Sequence, residues 1–389
     1  MKIDIHRGQN QIGGNIIEIA TDTTKIILDV GLELDDNNQT LPEIEGLFDY
    51  AGYDAIFISH YHGDHVGLAY HTHKDIPVYL GEATYNIIKA SDNYKSKSTF
   101  TPEGFLHPKK SIEVGDIKIT PFLCDHSAFD SYMLLCEADG ESILYTGDFR
   151  SNGRKSFDAL LSSLPKNVDK LICEGTTLSR EQYVPMTEKE LEERAVELFR
   201  ETTGPVFVLQ SSMNIDRIVT MYRAAKRSSR IFLEEVYMAD VATAAGKNIP
   251  NPEFDDVYAF ITSPAKFDML TKYRHKVGKS FIAKSSFVMC VRNSMLSYLK
   301  SISSKMSFQN GVLVYSFWSG YREMESMKEF LSECEKLGLK IVTLHTSGHA
   351  DEDTLKKLID AVKPKTLIPI HTENAARFEE IAPNTTVEE

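Results

Sequence analysis

Three histidines and an aspartate lie within the six-residue segment HYHGDH, which follows an apolar run, DAIFIS, typical of a buried strand. Imidazole nitrogens and carboxylate oxygens are ligands that zinc, iron and manganese take in proteins. Side chains two residues apart in an extended loop point the same way, so His60 and His62 can bind one metal ion while Asp64 and His65 face a second. The segment therefore predicts a metal site, with a surface histidine cluster as the alternative.

Three more candidate ligands follow other predicted strands. They are His126 in the stretch CDHS, Asp148 in YTGDF and His371 in IPIH. Strand ends of this kind can meet at one rim of a sheet sandwich, where their side chains would join the first cluster. A single histidine at a strand end is more often structural, but the agreement of three such positions with one local motif favours ligands.

The order of these groups resembles the metallo-β-lactamase fold: H-x-H-x-D-H, a distal histidine, a Gly-Asp after a strand, and a last histidine. The turn Asp29-Val30-Gly31 is similar to the early Asp-x-Gly of that fold. The resemblance implies an α/β protein with an αββα sandwich and a dinuclear site. It also implies two divalent metal ions, usually zinc, with manganese or iron as alternatives.

The resemblance further implies a role for each matching residue. The first ion is held by His60, His62 and His126. The second is held by Asp64, His65 and His371. Asp148 bridges the two ions together with a hydroxide, and Asp29 orients the ligands through the loop backbone.

A narrower resemblance, to the β-CASP branch that includes ribonuclease J, rests on two later segments. One is Glu174, which follows a predicted strand in CEGT, and the other is HTSGHA, residues 345–350, shortly before the last histidine. The resemblance implies hydrolysis of a phosphodiester, with Asp64, Glu174 and His349 as the candidate catalytic residues. His349 would donate to the phosphate or protonate the leaving oxygen, and Glu174 would fix its tautomer. The alternative for His349 is a structural histidine that caps the next helix. The alternative for Glu174 is a solvated carboxylate at the end of a strand.

Candidate substrate contacts are less specific. His345 and Ser347 lie in HTSGHA, and Ser319 lies in FWSGYRE, where only the Ser-Gly core matches the family's Gly-Ser-Gln-Gly-Glu-like stretch. Trp318 is the only tryptophan, and it can either stack on a base or pack in a core. His71 and His73 share the i, i+2 spacing of the ligands, but we expect them at the surface.

The chain length of 389 residues predicts two or three domains. The motif order places a metallo-β-lactamase domain at 1–179 and 336–389, with a doubly wound β-CASP-like domain inserted at 180–335. The composition, 42% apolar and 25% charged, excludes a disordered chain, a fibre and a disulfide-rich miniprotein. Five scattered cysteines and the lack of a signal peptide or an apolar span predict a cytoplasmic protein without a membrane partner.

The net charge of −13 argues against a nucleic-acid partner, because binding to phosphates draws on cationic side chains. The charge is uneven, however. Residues 215–305 hold 15 basic and 8 acidic side chains, a net of +7, so the rest of the chain carries −20. A basic insert favours RNA, or single-stranded DNA, as the partner. The alternative is an ordinary solvated helix surface.

The leading hypothesis is therefore a metal-dependent nuclease acting on RNA. The alternative on the same fold is a small-molecule hydrolase of esters, lactones, thioesters or cyclic phosphodiesters. A flavodiiron oxidoreductase requires a carboxylate at His62 and a flavodoxin domain, neither of which the sequence has. A non-catalytic scaffold is disfavoured because a residue able to bind metal stands at each of the seven ligand positions. Homo-oligomer formation is left open.

Overall fold

The computed structural model describes residues 1–34, 40–180 and 185–388. Within these residues the chain divides into two compact units. The first is formed by 1–92, 96–184 and 348–389, and the second by 93–95 and 185–347. No helix of the described ranges is long and apolar enough to cross a membrane.

The first unit contains two sheets. The strands of its first sheet, in spatial order, are β1 (Lys2–Arg7), β2 (Ile16–Ala20), β3 (Lys25–Leu28), β4 (Ala55–Phe57), β5 (Val78–Gly81) and β6 (Gly104–Leu106). Those of its second sheet, in chain order, are β7 (Ile112–Val114), β8 (Ile117–Cys124), β9 (Ser131–Ala138), β10 (Glu141–Tyr145), β11 (Lys170–Glu174), β18 (Thr366–Ile370) and β19 (Thr386–Val387). Its helices are α1 (Gly63–Val66), α2 (Glu82–Lys95), α3 (Phe157–Ser163), α11 (Glu352–Val362) and α12 (Arg377–Ile381).

The two sheets share one apolar core. Phe57 and Leu28 of the first sheet lie in the same buried cluster as Leu134, Ile172 and Ile370 of the second. On its other face, the second sheet packs against α3, α11 and α12. Burial of both faces explains why these strands are almost continuously apolar rather than alternating.

Strand direction in the second sheet brings several strand ends to one edge. Its order is β19-β18-β11-β10-β9-β8-β7. Strands β10, β11 and β18 are parallel neighbours, and β8 runs in the same direction because β9 is antiparallel to both β8 and β10. The carboxyl ends of β8, β10, β11 and β18 therefore lie at the same rim.

The second unit is built on one parallel sheet. In spatial order its strands are β14 (Val257–Phe260), β13 (Ile231–Glu235), β15 (Phe287–Val291), β12 (Val206–Leu209), β16 (Gly311–Tyr315) and β17 (Leu339–Thr343). Its helices are α4 (Glu188–Glu201), α5 (Ile215–Arg227), α6 (Val236–Ala245), α7 (Phe267–Thr271), α8 (Lys279–Ile282), α9 (Leu296–Ser303) and α10 (Glu325–Lys336). Three 3₁₀ turns of this unit cover Pro264–Lys266, Asn293–Met295 and Ser319–Glu323.

Helices cover both faces of this sheet, as a doubly wound fold requires. Helices α9 and α10 share a core with Leu233 and Met289. On the opposite face, Tyr222 of α5 makes an edge contact with Phe232, the neighbour of Leu233 in β13. Thr187 and Glu190 form a capping box on α4, and the Asn214 side chain caps α5.

The limits of the second unit differ from those of the proposed insert. The sequence placed the end of the insert at 335, which falls inside α10, whereas this unit continues to Ser347. The reason is β17, which pairs in parallel with β16 and completes that sheet. At the other end, the proposed start at 180 directly precedes residues 181–184, which lie outside the described ranges.

One buried acid lies inside the parallel sheet. Glu234 in β13 has no solvent exposure, and neither of its carboxyl oxygens has a hydrogen-bond partner within the described ranges. Burial raises the pKa of Glu234 well above its ordinary value of 4.5, so the group is protonated in the folded protein. In the unfolded chain the same group ionises near its ordinary value.

This difference predicts a pH-dependent loss of stability. As the pH rises from 4.5 towards the raised pKa, the unfolded state binds fewer protons than the folded state, and the free energy of unfolding falls by up to about 1.4 kcal/mol per pH unit. Glu234→Gln should remove this slope, measured as Tm between pH 5 and 8. The exposed Glu197→Gln is the matched control, and equal slopes for the two variants would contradict the prediction.

Candidate metal centre

The candidate ligands lie at strand ends of the first unit. His60 and His62 follow β4, and Asp64 and His65 lie in the short helix α1. The distal candidates His126, Asp148 and His371 follow β8, β10 and β18, whose carboxyl ends share one rim. All seven predicted ligand positions are brought together in two adjacent groups.

The first group consists of three imidazoles. Nδ1 of His62 lies 3.2 Å from Nε2 of His60 and 3.0 Å from Nε2 of His126. Burial lowers the pKa of all three histidines, that of His62 to about 4, so they are neutral at pH 7. Three neutral imidazoles whose nitrogens converge form a set of lone pairs suited to a divalent metal ion.

The second group contains two carboxylates and two imidazoles: Asp64, His65, Asp148 and His371. Oδ2 of Asp148 lies 3.2 Å from Nε2 of His65 and 3.9 Å from Nε2 of His60, which belongs to the first group. Its Oδ1 lies 3.8 Å from Nε2 of His371. The Asp148 carboxylate thus lies between the two groups.

The carboxylate of Asp148 is ionised although it is buried. Burial alone would raise its pKa, but the neighbouring imidazoles of His371 and His65 lower it well below its ordinary value. The reverse holds for His65, where burial lowers the pKa but the carboxylates of Asp148 and Asp29 raise it well above the ordinary value. The charges of this group are therefore strongly interdependent.

Each buried imidazole has a partner on its outer nitrogen. Nδ1 of His60 contacts the Ser59 hydroxyl at 3.0 Å, and Nδ1 of His126 contacts the Gly348 carbonyl at 2.5 Å. Nδ1 of His65 lies 2.7 Å from the Asp29 carboxylate. Such partners fix the tautomer and orientation of the ring and leave the inner Nε2 free to bind a metal.

Asp29 supports the site in two ways. As expected, its turn acts through the backbone, since the Val30 amide donates to the His65 carbonyl at 2.8 Å. In addition, its side chain contacts His65 directly and accepts from the Ser59 amide at 2.6 Å and the Tyr145 hydroxyl at 2.6 Å. Asp29 adopts a left-handed backbone, with φ of 58°, a conformation that a non-glycine residue keeps only where its surroundings enforce it.

Gly31 is required by the close approach of two chain segments. A Cβ atom at this position would lie 1.8 Å from the backbone oxygen of Asp64. The glycine therefore allows the Asp29 turn to lie directly against the segment that carries Asp64 and His65.

Glu174 and His349 are adjacent, as the sequence implied. Nδ1 of His349 lies 3.2 Å from Oε2 of Glu174 and 3.6 Å from Oδ2 of Asp148. Burial lowers the pKa of His349, but the carboxylates of Glu174 and Asp148 raise it above the ordinary value. Glu174 is buried rather than solvated, and its Oε1 accepts from the Phe149 amide at 2.9 Å.

Sequence reasoning did not find Thr176. Its hydroxyl lies 2.7 Å from Oε2 of Glu174 and 2.8 Å from Nδ1 of His371. Thr176 therefore connects Glu174 to the last candidate ligand, His371. The only available signal was its place in the CEGT segment, two residues after Glu174.

An ion pair joins two of the ligand loops. Nε of Arg150 donates to Oδ1 of Asp125 at 2.8 Å, and both side chains are buried. Asp125 precedes His126, and Arg150 lies two residues after Asp148. The pair thus holds the loops after β8 and β10 together, and nothing in the local sequence pattern indicates it.

The charges and unsatisfied atoms of the cluster fit a cation. His65 Nε2 and both carboxylate oxygens of Asp148 are buried and lack a hydrogen-bond partner within the described ranges. Leaving such atoms unsatisfied costs about 1–3 kcal/mol each, and more for charged groups. A divalent ion would satisfy all three atoms, and the donor set of imidazole and carboxylate suits zinc, manganese or iron.

The candidate substrate residues lie in the second unit. His345 and Ser347 follow β17, and Ser319 begins the 3₁₀ turn after β16. Trp318 does not pack in a core, because 45% of its surface is exposed and it makes an edge contact with Tyr321.

Comparison with known proteins identifies two domains. A β-lactamase superfamily domain matches residues 24–210, and a Zn-dependent metallo-hydrolase RNA specificity domain matches residues 336–380. The second match covers β17, α11 and β18, and thus the last candidate ligand, His371. The metallo-β-lactamase resemblance and the mixed α/β sandwich predicted from the sequence are confirmed.

The alignments with similar proteins cover most of the chain. Ribonuclease J of Sinorhizobium meliloti is 23% identical over 365 residues, covering 89% of this chain and 62% of that protein. An RNase J-like protein of Methanocaldococcus jannaschii is 24% identical, covering 95% and 92%. The fold matches that of a protein of unknown function from Enterococcus faecalis, with a TM-score of 0.81, 24% identity and coverage of 100% and 97%. The chain therefore has the metallo-β-lactamase fold and is similar to ribonuclease J over most of its length.

The position of Thr176 predicts a role in metal affinity. Thr176→Val should lower the affinity for zinc about tenfold or more, because His371 loses the partner that orients its ring. Competition with a chromophoric chelator measures this affinity. Thr176→Ser keeps the hydroxyl and should bind metal as the unmodified protein does; a valine variant with unchanged affinity would refute the role.

Proposed function

We propose that this ribonuclease J-like chain is a dinuclear metal-dependent hydrolase that cleaves the phosphodiester bonds of RNA. The observation that carries the proposal is the Asp148 carboxylate, which is buried, ionised and placed between two groups of candidate ligands. The RNA specificity domain and the ribonucleases similar to this chain support RNA as the substrate class.

In this proposal His60, His62 and His126 would hold one ion, and Asp64, His65 and His371 would hold the other. Asp148, which lies between the two groups, would serve both. Bound ions would offset the negative charge of the phosphate and make water a better nucleophile near neutral pH. The outer hydrogen bonds of the imidazoles keep these ligands in place when the substrate enters.

His349 is the proposed proton donor. The carboxylates of Glu174 and Asp148 raise its pKa, which favours the protonated ring that a general acid needs. Glu174 accepts from Nδ1 of His349, so Nε2 is left to donate to the leaving oxygen. Glu174 thus acts through His349 as a positioning residue.

His345, Ser347 and Ser319 remain the proposed phosphate contacts of the second unit. Each offers a hydroxyl or imidazole donor of the kind that binds phosphate oxygens. Ser347 is buried, whereas Ser319 is exposed.

Cleavage of labelled single-stranded RNA, with zinc or manganese supplied, tests the proposal. Asp64→Ala/His65→Ala should reduce cleavage to background, because it removes two ligands of the second group. His73→Ala/Asp75→Ala is the matched control, since this pair, 3.8 Å apart, lies outside the cluster. Equal cleavage by the ligand variant and the unmodified protein would refute the proposal. Ester hydrolysis without RNA cleavage would favour a small-molecule hydrolase.

The proton-donor role predicts a separate effect. His349→Ala should lower kcat for RNA about 100-fold or more, the usual contribution of a general acid, while the metal content stays unchanged. Metal analysis of the purified variant, together with kcat and KM, separates loss of chemistry from loss of metal. The exposed His71→Ala serves as the control. A change in KM alone would show that His349 only binds substrate.

A further inference from the structure

The net positive charge of residues 215–305 is not spread evenly over the second unit. Several of its cations are paired with carboxylates. Arg217 contacts Glu188 at 3.1 Å, and Arg292 contacts Glu235 at 2.7 Å. Lys226, Arg227 and Lys300 are paired in the same way. The charges of these side chains are offset by neighbouring carboxylates, so they leave little charge for a ligand.

A second set of cations lies in residues 264–284, which carry six basic side chains and one acidic side chain. Lys272 pairs with Asp240 at 2.7 Å. The other five cations have no carboxylate within 4 Å among the described residues: Lys266, Arg274, Lys276, Lys279 and Lys284. This segment therefore carries five of the eight cations of residues 215–305 that have no carboxylate within 4 Å among the described residues.

The same segment forms a pocket of about 440 Å3. Ile261 and Pro264, which follow β14, line it together with Phe267, Lys276, Lys279 and Tyr298. Residues 275–277 lie beside β14, since the Val277 amide donates to the Ala259 carbonyl at 2.9 Å. The pocket thus opens at the carboxyl end of a parallel strand, where open α/β sheets bind ligands. Its volume lies within the range of pockets that hold small organic groups.

The pocket combines apolar surface with positive charge. Phe267 is 59% exposed, although it is a large apolar side chain, and the nearby Phe281 is 45% exposed. The floor includes the buried Tyr298, whose ring lies 4.9 Å from Nζ of Lys279. Exposed aromatic rings beside lysines are the arrangement on which single-stranded nucleic acids stack their bases and place their phosphates.

We propose that this pocket is an accessory binding site for single-stranded RNA. One base enters the pocket against Phe267, and Lys276 and Lys279 bind the phosphates beside it. Arg274 and Lys284 lie in the same segment, so its cations can bind more than one phosphate. An extended polyanion therefore fits this surface better than a small anion does. The choice of RNA rests on the proposed function, but the site itself does not depend on cleavage.

The site is tested by measuring how tightly the metal-loaded protein binds a phosphorothioate RNA of about 12 nucleotides. A gel run after the titration checks that the RNA has not been cleaved. Lys276→Glu/Lys279→Glu should weaken binding about tenfold or more and flatten its salt dependence. The control is Lys328→Glu/Lys336→Glu on α10, which changes the net charge by the same amount at two exposed, carboxylate-paired lysines. The control should lose much less affinity.

Phe267→Ala provides an independent arm, because this exposed side chain can be removed without opening the core. The loss of one stacked base should weaken RNA binding about fivefold or more but leave the binding of inorganic polyphosphate unchanged. If Phe267→Ala binds RNA as the unmodified protein does, no base occupies the pocket and the proposal fails. It also fails if the two lysine double variants lose affinity equally. Loss of cleavage activity alone would affect only the proposed function, since both arms measure binding.

Discussion

The hydrogen bonds on the outer nitrogens of the buried imidazoles are the interactions on which the site depends. The neutral imidazoles of His60, His62 and His126 lie beside the ionised Asp148, and the tautomer of each ring decides which of its nitrogens can donate. Ser59, Asp29, the Gly348 carbonyl and Thr176 fix those tautomers from outside. Without them the rings could pair with each other or with Asp148, and the inner nitrogens would no longer converge.

The direction of the strands brings the ligands and their hydrogen-bond partners to the same place. Strands that run in one direction deliver their carboxyl ends to the same rim, so the last residue of each strand and the turn after it can face a common point. The rigid core between the two sheets, with Phe57 on one side and Ile370 on the other, holds that rim in place. The left-handed backbone of Asp29 and His371, which costs free energy, is tolerated because this surrounding structure determines it.

The candidate ligands could be predicted from the sequence because four of them lie within six residues. The other three follow strands that are recognisable as apolar runs. The sequence did not predict Thr176, or the pair of Asp125 and Arg150, because these contacts join segments whose spacing along the chain carries no pattern. Trp318 could not be placed, since a strand-end tryptophan is equally compatible with a core and with a surface. The proposed insert ends at 335, before β17, whereas the compact second unit includes this strand because β17 pairs with β16.

The chain returns to the first unit at Gly348, whose carbonyl contacts His126, and it supplies His371 only after a further strand. During synthesis the early histidines therefore leave the ribosome long before their last partners exist. The second unit, folding as a compact body in between, shortens the effective loop that must close and lowers its entropic cost. A nascent chain that ends before residue 371 has an incomplete cluster, so the site can form only after His371 has been made.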